Sequence, residues 1–398
     1  MKRILKKMKL GPATLVAAAF IGPGTVTMCT LAGAKFGYEL LWAMIFSIVA
    51  TIVIQEMSAR TGMVSRMGLG EALRSHLPNP FLKIIALFLV LSAILIGNAA
   101  YEAGNLAGAA LGAYFLLDLD TEMAAIILGF LAAGLLYIGN IRVIEKILVA
   151  LVVLMSISFL ITAIATKPPF IPLIKGMLIP KINWDNLLFV TALVGTTVVP
   201  YNLFLHASLA KEKWKVEEMS SMRWDTVVSI FLGGIVSMSI IIAAAAIGNG
   251  EITDVTQLSK SLTPLLGEYA GILIAIGLLA AGLTSAITAP LAAAYATSGI
   301  LGWNVEMKSF RFRAVWLTII AIGILFSTLK IRPIEIIQFA QVTNGILLPL
   351  IVCFLFYLVN QKSLMKEYKN NKWQNLMSLL IILLCIGLSI RTLIKVMG

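Results

Sequence analysis

The sequence predicts an all-α integral membrane protein of about eleven transmembrane helices, built as two inverted five-helix repeats with helices 1 and 6 broken and one helix added. Three observations predict it. Of the 398 residues, 60% are hydrophobic and 13% charged, and the mean hydropathy is +0.96, more apolar surface than a soluble fold could keep from water. Apolar runs of spanning length recur along the whole chain. Two of these runs, five spans apart, are interrupted at mid-depth by helix breakers.

The first run, 11–34, follows a basic stretch, Met1 to Lys9, that has the look of a signal peptide. Pro23 breaks that run and ten more follow, so the stretch reads as a retained cytoplasmic tail. Runs at 38–56, 82–107, 122–139 and 144–165 complete a first repeat of about 11–165. Runs at 186–210, 226–248, 269–300, 313–330 and 335–359 form a second, about 186–359, and 374–393 is the added helix. The longest connections, near 57–81 and 166–185, are too short to fold alone, so residues 1–398 form a single membrane domain.

The net charge of +12 does not point to nucleic acid. Lys and Arg sit in short connections between apolar runs rather than on one basic face. With the N-terminus in the cytoplasm, about 22 of the 31 Lys and Arg fall on the inner side, among them Lys211/Lys213/Lys215, Lys308/Arg311/Arg313 and Lys362/Lys366/Lys369/Lys372. The expectation is a multi-pass protein of the cytoplasmic membrane with its C-terminus outside. Cys29, Cys353 and Cys385 lie in apolar runs and behave as small hydrophobes. No Ser/His/Asp set, metal-ligand cluster or phosphate loop occurs, so neither an enzyme nor a cofactor is expected. The expected partners are the lipid bilayer and a small solute or cation; the sequence sets no oligomeric state.

The first break reads Gly22-Pro23-Gly24-Thr25 and the second Thr196-Thr197-Val198-Val199-Pro200-Tyr201-Asn202. Unwound backbone at mid-membrane is tolerated where it lines a cavity, and paired half-helix ends there surround a substrate. Ordinary proline kinks are the structural alternative, weakened by the symmetric placement.

At these residues the chain resembles the natural resistance-associated macrophage protein (Nramp) family of proton-coupled divalent-metal transporters, which share the LeuT fold. The resemblance also covers Leu31-Ala32-Gly33-Ala34-Lys35-Phe36-Gly37-Tyr38, Leu193 to His206, and Ala340-Gln341-Val342 ahead of Leu348-Pro349. The family's first break carries Asp-Pro-Gly-Asn, whose aspartate and asparagine bind metal; Gly22 and Thr25 stand there in this chain. The family's Met-Pro-His is replaced by Val199-Pro200-Tyr201. What the resemblance leaves is His206, Gln341 and Glu102, the last at a proton-relay carboxylate whose usual second acid is Ala99 here.

Without a carboxylate or thioether, a dehydrated dication would be poorly compensated at this site. Gly22 instead bares N–H groups at the start of the second half-helix, which favour a carboxylate. The residues expected at the substrate are Gly22, Gly24, Thr25, Thr196, Val199, Tyr201, Asn202, Gln341 and Asn344, with Glu102 and His206 coupling protons or ions; no metal-ligand set is named. Asn98, Glu102 and Asn105 form one stripe beside Tyr101, where a proton or cation role for Glu102 stands level with a structural hydrogen-bonding one. Thr284, Ser285 and Thr288 read as interhelical glue, Glu56 as an interfacial residue without a role, and Trp184 and Trp373 as interfacial anchors. The expected function is secondary transport of a small organic solute, an amino acid or carboxylate. The alternative is a divalent cation, Mg²⁺ or Mn²⁺, at a roomier oxygen-ligand site.

Overall fold

The computed structural model describes residues 21–77, 79–139, 142–246, 248, 252, 254–303 and 307–397. The basic N-terminal stretch and the first half of the first predicted run lie outside them. Helix accounts for the described chain, with no strand among the described residues.

Pro23 opens α1 (Pro23–Phe36), where its missing N–H costs nothing, and Gly22 before it is extended at φ −96°, ψ −176°. α1 closes at Gly37, whose φ of +57° suits a residue without Cβ. There follow α2 (Leu41–Ser65), α3 (Leu69–His76), α4 (Pro80–Leu117), α5 (Thr121–Ile138), α6 (Arg142–Ala165) and α7 (Phe170–Leu178). The second half of the chain gives α8 (Leu187–Thr197), α9 (Pro200–Lys213), α10 (Met219–Ala245), α11 (Ala270–Leu301), α12 (Phe310–Ser327), α13 (Pro333–Val359) and α14 (Lys372–Met397), with short helical turns between α10 and α11. Ten spans among the described residues are long and apolar enough to cross a membrane, counting α8 and α9 as one. α1, at 14 residues, is not counted among them.

Two boundaries differ most from the sequence reading. α2 runs nine residues beyond the expected end at Glu56, because the charges that suggested an interface are neutralised inside the bundle: Arg60 is 1% exposed and paired to Glu56. α4 continues to Leu117 through Gly108 and Gly112, which let Pro23 and the Ala275 carbonyl come against its backbone. The two long connections also carry helices, α3 and α7.

α4 runs through the middle of the bundle, with α11, α12 and α13 packed along it. α1 lies on α10 and α8, α9 on α2, and α8 on α13. Small residues make these approaches possible. At Gly195 a Cβ would collide with the Gln341 carbonyl, and at Gly62 with that of Ala207. The added helix α14 is stitched in by a Thr191–Thr392 hydroxyl pair at 2.7 Å and by Ser389 donating to the Gly345 carbonyl at 3.1 Å.

Candidate functional site

The second break is local chemistry. Pro200 has no N–H to continue α8, and Val198 and Val199 leave helical geometry (φ −97°, ψ 76° and φ −82°, ψ 121°). Asn202 then donates its N–H to the Val199 carbonyl at 3.1 Å, starting α9.

The two breaks meet. Thr25 Oγ1 and Thr196 Oγ1 lie 2.9 Å apart across 171 residues of sequence, both fully buried. α13 closes the next side: the Gln341 side chain rests against the bare Cα of Gly24, and its carbonyl against Gly195. α4 closes another, with Tyr101 edge-on to Tyr201 at 5.4 Å between ring centroids, and Asn344 Oδ1 3.2 Å from the Cβ position of Gly97. Gly22, Gly24, Thr25, Thr196, Val199, Tyr201, Asn202, Gln341 and Asn344 are all buried.

Burial of polar groups normally comes with partners. Here it does not. Neither side-chain amide atom of Asn202 has a hydrogen bond, nor do Gln341 Oε1, Asn344 Nδ2 and Asn98 Oδ1. Each such atom costs roughly 1–3 kcal/mol of desolvation unless something supplies a partner.

The two coupling candidates adjoin the breaks: Glu102 follows Tyr101, whose ring meets Tyr201, and His206 lies one turn beyond Asn202 on α9. Glu102 is fully buried, takes a 3.4 Å hydrogen bond from Asn105 Nδ2 on Oε2, and has no partner on Oε1. Its side chain packs against Gly323 of α12, where a Cβ would lie 2.6 Å from Glu102 Cγ. His206 turns to α2: Nδ1 is 2.9 Å from Gln55 Oε1. That carbonyl oxygen only accepts, so Nδ1 carries the hydrogen, and Nε2 is left without a partner. Gln55 is a residue that sequence reasoning missed, because it sits beside Glu56 at what read as a helix end. Glu56 also has contacts that the sequence reading did not give it: it accepts from Arg60 at 3.0 and 3.2 Å and from Arg223 at 2.8 Å. Thr284 and Thr288 bond back to carbonyls of their own helix at 2.7 and 3.1 Å.

Among the described residues no three His, Cys, Asp or Glu side chains gather as metal ligands. Hydroxyls, amides and open backbone are what the breaks present.

Comparison with known proteins identifies the scaffold. The sequence profile described as natural resistance-associated macrophage protein-like matches residues 13–395. The chain belongs to the Nramp family. Among its relatives, the divalent metal cation transporter MntH of Klebsiella pneumoniae (strain 342) is 28% identical over 403 residues, covering 97% of this chain and 94% of that one. MntH of Yersinia pestis (strain Pestoides F) is 27% identical over 409 residues, covering 100% and 98%. Two solved structures confirm the LeuT-type fold. A manganese transporter of Eremococcus coleocola has a TM-score of 0.77 at 21% identity, over 96% of this chain and 85% of that one. MhsT in complex with L-phenylalanine has a TM-score of 0.63 at 15% identity, over 97% and 98%. This Nramp-family chain is therefore a multi-pass membrane transporter. At the ligand positions that the family resemblance marks, it holds Gly22, Thr25, Val199 and Tyr201.

Proposed function

We propose that this Nramp-family transporter carries a divalent cation that keeps part of its water shell, between neutral amide and hydroxyl groups at the two helix breaks. This replaces the organic solute as the leading reading, because relatives matched over nearly their whole length are named divalent metal cation transporters. The observation that carries it is the set of buried amide atoms without partners on Asn202, Gln341 and Asn344. Water held by a cation donates hydrogen bonds, and Gln341 Oε1 and Asn202 Oδ1 accept them. Mg²⁺ gives up its water reluctantly and suits such a site. The lack of a thioether removes the preference for softer metals. Glu102, an intramembrane carboxyl, carries the coupling proton in this reading. The basic C-terminal end of α9 and the basic connection after α13 face the cytoplasm, and the C-terminus lies outside.

Uptake of Mg²⁺ and Mn²⁺ into proteoliposomes, read beside thermal stabilisation of the purified protein, tests this. The expected result is weak, similar uptake of both ions, lost in Q341A, with E102Q still binding cation but no longer responding to an imposed pH gradient. High-affinity, strongly Mn²⁺-selective uptake would contradict a hydrated ion.

A second reading keeps an amino acid or carboxylate as the cargo. It is favoured by the N-terminus of α1, where the N–H of Gly24 lies in the first turn at the positive end of the helix. Stabilisation by amino acids or carboxylates, with neither cation having any effect, would establish it.

A further inference from the structure

A groove of about 330 Å³ that shares no residue with the breaks opens at the basic end of the bundle, between α2, α10 and α14. Its walls are apolar: Ile52 and Met57 from α2, Val227 from α10, and Met377 from α14. The apolar lining continues toward the middle of the membrane. One turn deeper on each helix stand Val49, Phe231 and Leu380, exposed on the bundle surface at 41%, 53% and 48%. Trp373, 76% exposed, stands at the mouth, where an indole prefers the headgroup level.

The polar floor is unbalanced. Glu56 faces two guanidinium groups. Arg60 is fully employed, holding Glu56 through Nε, the Tyr368 carbonyl through Nη1 and Asn370 Oδ1 at 2.6 Å through Nη2. Arg223 is different. Glu56 fixes its Nε at 2.8 Å, and its two Nη groups have no bond among the described residues. One carboxylate between two guanidiniums leaves one positive charge over, held in a set direction beside an apolar channel.

An oriented, half-exposed guanidinium fork matches a phosphate oxygen pair. A channel leading into the membrane below it matches an acyl chain. We propose that this groove is a binding site for one anionic phospholipid, its phosphate on Arg223 and Trp373 and its acyl chain along α2, α10 and α14. A soluble phosphate would gain nothing from the apolar channel, and a zwitterionic lipid carries its own cation to compete with Arg223.

Native mass spectrometry of the full-length protein in detergent, titrated with phosphatidylglycerol or with phosphatidylcholine, tests the site. One phosphatidylglycerol is expected to stay bound at energies that strip phosphatidylcholine. R223Q should weaken that binding about fivefold or more, the scale of one basic side chain at a charged lipid surface. M377W should weaken it as well, by filling the channel while leaving every charge in place. Equal retention of the two lipids, wild-type affinity in both variants, or equal competition by glycerol phosphate would overturn the proposal. The test does not depend on which cargo the breaks carry.

Discussion

Arg60 and Asn202 are equally buried, each 1% exposed, and they represent opposite kinds of polar interior. Every nitrogen of the Arg60 guanidinium is bonded, to Glu56, Tyr368 and Asn370. Asn202 has no side-chain bond at all. A saturated polar group holds two pieces of chain together: Arg60 fastens the connection after α13 to α2. An unsaturated one stores an unmet demand, and a transporter meets that demand with its cargo. Unpartnered atoms also occur away from the breaks, on Trp214, Thr297 and Ser298, so it is the gathering of Asn202, Gln341 and Asn344 at the breaks that marks the site.

The largest effect follows from the saturated side. Arg60→Ala leaves Glu56 with Arg223 alone and frees the buried Asn370 Oδ1. Breaking a buried pair of this kind costs about 3–5 kcal/mol, so the melting temperature in detergent should fall steeply and little folded protein should be recovered. A variant with wild-type stability would show that Arg60 is not the fastening it looks to be, and the comparison would lose one side.

Asn202→Ala should behave in the opposite way. It removes two unbonded polar atoms from a buried position, so stability should be equal to or above that of wild type, the relief of their desolvation being offset by the packing lost. Uptake of whatever the breaks carry should fall roughly tenfold or more, the worth of one or two hydrogen bonds to a charged or strongly polar ligand. Loss of stability equal to that in Arg60→Ala would mean that Asn202 has a structural partner.

Gly24→Ala probes the seam between the two classes. The new methyl meets the Gln341 side chain, whose Oε1 has no hydrogen-bond partner. Overpacking of this sort costs about 1–3 kcal/mol, and transport should suffer more than stability. Pairing it with Gln341→Ala should restore the stability and not the transport.

The sequence already showed most of the scaffold. Hydropathy and the two proline-centred breaks gave the spans and the LeuT-type arrangement, because lipid exposure and the missing proline N–H act locally. The meeting of the two breaks followed from their symmetric placement, whereas the Thr25–Thr196 contact was legible only in the structure. What the sequence hid were partnerships between spans. Gln55 with His206, and Glu56 with Arg60 and Arg223, join residues up to 167 positions apart. Charged residues near Glu56 read as a helix end because composition alone cannot tell a charge in water from a charge neutralised inside. The same limit explains Glu102. Its stripe on α4 was visible, but its packing against Gly323 depends on where α12 crosses.

The smallest effect lies in the Thr25–Thr196 pair. The hydroxyls are 2.9 Å apart and either can donate, so they satisfy one another where the family resemblance places a metal ligand. Replacing one by Val leaves the other hydroxyl buried with its shared bond gone, at about 1 kcal/mol; replacing both removes the demand along with the bond. The double variant Thr25→Val/Thr196→Val should therefore be less destabilised than the sum of the two single variants, in a cycle measured by thermal unfolding. If the costs simply add, each hydroxyl is satisfied by a partner of its own and the 2.9 Å contact fastens nothing. Should the coupling appear together with unchanged uptake, the pair belongs with Arg60 as a fastening between the two repeats, and the cargo is held by Asn202, Gln341 and Asn344 without it.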